Sequence, residues 1–152
     1  MNRKKLQLEQ LSRKQNGFSA AVNVALPPTG WLKAVRTSLG MSLQQLADKL
    51  SITRQSVQEI EKREKEGQIT LNNLKEAANA LDMQLVYGLV PKDGTLEDLI
   101  DRKAKELAVR IVSRTSNNMK LEDQENSKQR IKKAIEDRTA IIKDEFPKML
   151  WD

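Results

Sequence analysis

Residues 41–63 read MSLQQLADKLSITRQSVQEIEKR, and their spacing decides the architecture of the chain. Leu43, Leu46, Ala47 and Leu50 recur at intervals of three and four, which places them on one face of a helix. Ser42 followed three residues later by Gln45 is a capping box that opens that helix. Ser51-Ile52-Thr53 is a short break, with Ile52 as a buried pin and Thr53 as the side-chain cap of a second helix. Val57 and Ile60 form the apolar side of this second helix, and Arg54, Gln55, Gln58 and Glu59 face outward in its first two turns. The pattern predicts two short helices crossing closely at a tight turn, with the small Ala47 at the crossing.

Outward from this segment, Trp31, Leu32, Val35 and Leu39 follow helical spacing and Gly40 stops that helix. Pro27-Pro28 separates it from an arm over 1–29, where Leu6, Leu8 and Leu11 predict a helix over 2–15. Downstream, Thr70 caps a fourth helix with Leu71, Leu74, Ala77, Ala78 and Leu81 inward. The compact unit is expected over 30–82. Residues 83–90 are a β-prone run closed by Pro91 and the turn-like Lys92-Asp93-Gly94. A lone strand leaves its backbone groups unpaired, so 83–91 is expected to pair with its copy across a two-fold axis, Leu85, Tyr87 and Leu89 making the dimer contact. Thr95 begins a helix carrying Leu96, Leu99, Ile100, Leu107, Ile111 and Val112, which Asn117-Asn118 is expected to break. A charged helix over about 122–145 follows, with Ile131, Ile135, Ile142 and Phe146 at helical spacing. Residues 92–152 thus read as a helical C-terminal extension.

Composition excludes several chemistries. The chain has no histidine and no cysteine, so the common zinc sites, a Ser-His triad and a Cys nucleophile are all unavailable. No glycine-rich phosphate loop is present. The carboxylates sit in lysine-rich helical runs, the usual pattern of a solvated face. These absences argue against an enzyme, a metal centre or a bound cofactor. Aromatic residues make up 3% of the chain and mean hydropathy is -0.63, which predicts a thin aliphatic core. A net charge of +6 favours anionic partners, and the arm holds five Lys or Arg against one acid. No signal-peptide pattern and no bilayer-length apolar run occur, so a cytoplasmic, nucleoid-associated protein is expected.

Two crossed helices with a polar outer face make a helix-turn-helix, whose second helix enters the major groove of DNA. Arg54 can donate two hydrogen bonds to guanine, Gln55 and Gln58 can engage adenine, and Glu59 can accept from a cytosine amine. Glu59 can equally pair within its helix with Lys62 or Arg63. Ser42 and Gln44 at the start of the bracing helix, with Thr53 and Lys62, are candidates for the DNA backbone. Arg3, Lys4 and Lys5 of the arm are further backbone candidates, or solvated lysines on a packed helix.

Residues 30–81 resemble the Cro/C1-type (XRE-family) helix-turn-helix through Ser42, Leu46, Ala47, Leu50, Ile52, Thr53, Val57, Ile60 and Glu61, followed by Leu71, Leu74, Ala77 and Leu81. The resemblance implies a five-helix lambda-repressor-like domain, so the expected fold is mostly α, with one short β-strand and the helical extension read above. It also implies a structural ion pair between Arg36 and Glu61. Two departures stand out: Ser51 replaces a turn glycine, and Arg63 with the loop 64–68 replaces a glycine exit. Over its whole length, through PPTGW and KREKEGQITLNNLKEAANALDMQLVYGLVPKDG, the chain is similar to the mobile mystery protein A family. That likeness implies an antitoxin-like regulator beside a Fic-domain companion protein. The expectation is a sequence-specific DNA-binding repressor, homodimeric on a palindromic operator. The competing expectation is an interaction module that sequesters a partner such as the Fic-domain protein, docking through Ile131, Ile135, Ile142, Phe146 and Trp151.

Overall fold

The computed structural model describes the backbone of residues 3–116 and 124–152, with side chains over 3–115 and 128–152. The helices are α1 (Arg3–Asn16), α2 (Trp31–Ser38), α3 (Leu43–Leu50), α4 (Arg54–Lys65), α5 (Leu71–Ala80), α6 (Leu96–Ser116) and α7 (Gln124–Glu145), with 3-10 turns at Ser19–Asn23 and Lys148–Trp151. The chain divides into two compact units, one of Ala20–Gly88 and one of Met1–Ser19 with Leu89–Asp152.

The first unit holds α2 to α5 around Leu32, Leu46, Ala47, Val57, Ala77 and Leu81, with Val35, Leu50, Ile52, Ile60, Ile69 and Leu74 packed against them. Ala47 is fully buried, which lets α3 and α4 approach closely. Three of the helices are opened by side-chain caps. Ser42 Oγ accepts from the Gln45 amide at 3.1 Å while Gln45 Oε1 accepts from the Ser42 amide at 2.9 Å. Thr53 and Thr70 accept from the amides of Ser56 and Asn73, each at 3.1 Å.

All four helices end alike. Gly40, Ser51, Gly67 and Asp82 adopt the left-handed conformation, with φ of 68°, 56°, 74° and 61°. The next residue's amide reaches back five residues to a carbonyl: Met41 to Arg36, Ile52 to Ala47, Gln68 to Arg63 and Met83 to Ala78. Glu64 and Lys65 therefore lie inside α4, and the exit expected as a loop over 64–68 begins only at Gly67. Leu71, read as inward, is exposed, as are Trp31 and Leu39, which follow helical spacing.

Two expectations of the fold are corrected. The unit has four α-helices, not five, because the next helix starts at Leu96 and belongs to the other unit. No strand occurs among the described residues. Left-handed Asp82 ends α5, and residues 83–90 continue without secondary structure. A strand exists only when paired, and no described segment pairs with this one.

In the second unit α6 and α7 run antiparallel, because Asp101 near the start of α6 meets Lys143 near the end of α7. Ala104 and Ala108, both fully buried, let the helices close, and Leu107, Ile142 and Leu150 complete the cluster with Ile111 and Ile135 around it. Thr95 and Asp98 cap α6 reciprocally, at 3.0 and 3.3 Å. Arg102 grips Asp93 through two hydrogen bonds, at 2.7 and 3.1 Å, tying the 91–94 turn to the helix. Phe146, at φ 54°, ends α7 and turns the chain so that Leu150 enters the core and Trp151 meets the Phe146 ring edge-on. The α1 helix belongs here too: Lys5 pairs with Asp144 at 3.3 Å, and Lys4 Nζ lies 5.5 Å from the centre of the Phe146 ring. The expected break at Asn117-Asn118 and the start of the last helix near 122 lie outside the described residues.

Candidate nucleic-acid interface

On α4, the burial of Val57 and Glu61 turns the opposite side to solvent. Arg54, Gln55, Gln58 and Lys62 are exposed, and their side chains make no hydrogen bond among the described residues. Gln55, Gln58, Lys62 and Lys65 follow one another at three- and four-residue steps, so they form one stripe along the helix. Glu59 is also exposed, but its carboxylate accepts from Arg63 Nε at 3.2 Å. Of the two readings open to Glu59, this is the intrahelical one. Thr53 at the head of the stripe spends its hydroxyl oxygen on the Ser56 amide and shares a further hydrogen bond of 2.8 Å with the Ser56 hydroxyl.

The bracing helix α3 presents Ser42 and Gln44 on its exposed side. Ser42 is engaged in the capping box, and Gln44 Nε2 donates to Asp48 at 2.8 Å. Arg3, Lys4 and Lys5 are exposed on α1, in the other compact unit. Leu85 is half-buried, while Tyr87 and Leu89 are exposed.

Behind the stripe, Arg36 and Glu61 form a buried pair. Arg36 Nε and Nη2 donate to the two Glu61 oxygens at 3.1 and 3.0 Å, and Nη1 donates to the Met41 carbonyl at 3.0 Å. One guanidinium therefore fixes α2 to α4 and holds the turn that leads into α3.

A second carboxylate has a structural role that local reading misses. The α2 helix starts at Gly30, which has no side chain to cap it, and Glu64 of α4 supplies the acceptor, taking the Leu32 amide at 2.8 Å. A negative charge at a helix N-terminus is favoured by the helix dipole. A Cβ at Gly30 would stand 2.9 Å from the Glu64 oxygens, and Gly30 has φ 84°. Only glycine fits this cap without displacement.

Residues 32–87 match the helix-turn-helix family model. They form a DNA-binding helix-turn-helix domain. Its bracing helix is α3, its turn is 51–53 and its recognition helix is α4. Comparison of the chain with curated proteins and with solved structures gives no significant match. Among the described residues no cluster of acidic side chains could hold a metal ion, and no helix is long and apolar enough to cross a membrane.

Proposed function

We propose that this protein is a sequence-specific transcriptional regulator, acting as a homodimeric repressor on a palindromic operator. The observation that carries the reading is the uncommitted polar face of the recognition helix, where Arg54, Gln55 and Gln58 point outward with their hydrogen-bonding groups unspent. These are the side chains suited to the major-groove edges of guanine and adenine. Glu59 contributes less to base reading, since its partner is Arg63. Lys62, Thr53, Gln44 and Ser42 lie where contact with the DNA backbone would fix the helix in register. Two such domains on a palindrome would stand about 34 Å apart or a multiple of that.

Dimerisation is assigned to residues 83–91. Val86, Tyr87 and Leu89 are exposed, and the backbone there has no strand partner among the described residues. Pairing with a second copy would meet both needs. The likeness to the mobile mystery protein A family supports an antitoxin-like role beside a Fic-domain protein. In this reading the chain is a binding protein, not an enzyme, and works in the cytoplasm on the nucleoid.

Selection from random duplexes tests the proposal: an enriched palindromic site is expected, and recovery of no consensus refutes it. Arg54→Ala with Gln55→Ala should abolish the preference while circular dichroism stays unchanged.

Sequestration of a partner is the second reading. Packing against α6 consumes Ile142, but Ile141, Met149 and Trp151 remain exposed. Co-expression with a neighbouring Fic-domain protein should then give a complex that Ile141→Lys with Met149→Lys disrupts.

A further inference from the structure

The recognition helix has a second charged neighbour that the reading of base contacts does not use. Between α2 and α4 lies a groove of about 300 Å³, lined by Thr29, Lys33, Arg36, Gln58, Lys62 and Lys65 among others. The carboxylate in its lining, Glu61, and the next one along α4, Glu64, each have a partner. Glu61 is bound to the Arg36 guanidinium, and Glu64 caps α2 through the Leu32 amide. Lys33, Lys62 and Lys65 are exposed and take part in no ion pair among the described residues. Three lysines thus line one recess whose carboxylate, Glu61, is already paired with Arg36. They are not scattered: Lys62 and Lys65 continue the Gln55–Gln58 stripe, and Lys33 faces the same recess from α2.

Like charges gathered on one recess raise the local positive potential. An anion lowers it. The recess is open to solvent, and ammonium groups at its rim can make charge-assisted hydrogen bonds to a phosphate oxygen. Its continuity with the stripe sets the source, because a duplex held against Gln55 and Gln58 carries its phosphates along the same helix. We infer that Lys33, Lys62 and Lys65 form a clamp for a backbone phosphate of the DNA. The clamp extends the DNA-binding reading from one lysine, Lys62, to a three-sided site, and it rests on that reading.

The experiment measures binding to the selected duplex and to a random duplex across a range of salt. It compares the full chain with the triple variant Lys33→Gln, Lys62→Gln, Lys65→Gln. A control variant removes equal charge elsewhere, by Lys128→Gln, Lys132→Gln and Lys133→Gln on α7. Each lost phosphate contact lowers the slope of log affinity against log salt by about 0.9. The clamp variant should lose about 1 unit of slope on both duplexes and keep its ratio of specific to random affinity. The control variant should keep the wild-type slope. An unchanged slope in the clamp variant overturns the inference, as does an equal loss in the control, which would make the effect one of net charge. A collapse of the specificity ratio overturns it too, because the lysines would then be reading bases. If the wild-type chain shows no sequence preference, the regulator reading fails, yet the slope on random duplex still decides the clamp. Unchanged circular dichroism confirms that the glutamines leave the fold in place, as expected of exposed positions.

Discussion

Replacing Glu61 by Gln would leave the Arg36 guanidinium with its positive charge almost fully buried and no anion beside it. Breaking a buried pair from one side costs about 3 to 5 kcal/mol, because the remaining charge keeps its desolvation penalty. Chemical denaturation of Glu61→Gln should show a loss of that order, and a loss under about 1 kcal/mol would mean that water reaches the pair. Ser51 is a milder case. A non-glycine residue in the left-handed region carries about 1 to 2 kcal/mol of strain, of which glycine's greater freedom in the unfolded chain returns part. Ser51→Gly should therefore raise the unfolding midpoint slightly, by about 0.5 to 1 kcal/mol. The same change at Gly40 or Gly67 is already made by the sequence. That Ser51 keeps φ 56° without glycine shows how strongly Ile52, drawn into the core, fixes the turn.

At the scale of elements, what the sequence discloses depends on how far a hydrogen bond reaches along the chain. The caps at Ser42, Thr53 and Thr70 span three residues each and are legible from the letters alone. The cap of α2 is not, because its acceptor, Glu64, stands on another helix and becomes visible only when α2 and α4 are packed. Glu64→Ala should cost about 1 kcal/mol, the usual worth of a helix cap, and selectively increase amide exchange in the first turn of α2. Uniform exchange across the unit would contradict this. The candidate site follows the same rule. The outward stripe of α4 is legible because it is the complement of Val57, Ile60 and Glu61. The place of Lys33 beside it is not, because it depends on how two helices meet. The short strand fails for a related reason: β-propensity marks residues 83–90 as willing to pair, but pairing is a property of two segments. The apolar residues on the rims of the helices, Trp31, Leu39 and Leu71, show the limit of spacing as a guide to burial in so short a unit.

For the whole molecule, the two units draw on different materials. The helix-turn-helix unit has one aliphatic core and a buried ion pair. The other rests on a close α6–α7 contact framed by alanines, and on ion pairs at its surface. Of these, the Arg102 grip on Asp93 has a defined response to acid. The hydrogen bond from Arg102 holds the Asp93 carboxyl below its ordinary value of 3.8, with Arg102 and Lys103 charges assisting, and Arg102 likewise lowers Glu106. A carboxylate lowered on folding contributes to stability above its unfolded pKa and loses that contribution as pH falls through the lower folded value. The clip at the head of α6 is therefore expected to be indifferent to pH near neutrality and to release only in acid. An NMR titration of the Asp93 carboxyl with a midpoint at or above 3.8 would contradict it.

The division of the chain also sets an order in time. Residues 20–88 are one continuous stretch, while their companion unit is assembled from α1, made before them, and from α6 and α7, made after. On the ribosome the DNA-reading unit has all its core residues once Leu81 has emerged. The α1 helix, with Leu6, Leu8 and Leu11, must wait for partners encoded some eighty residues later. A nascent chain halted once Gly88 has left the ribosome should thus already display a protease-resistant reading head, with an α1 segment still open to cleavage ahead of it.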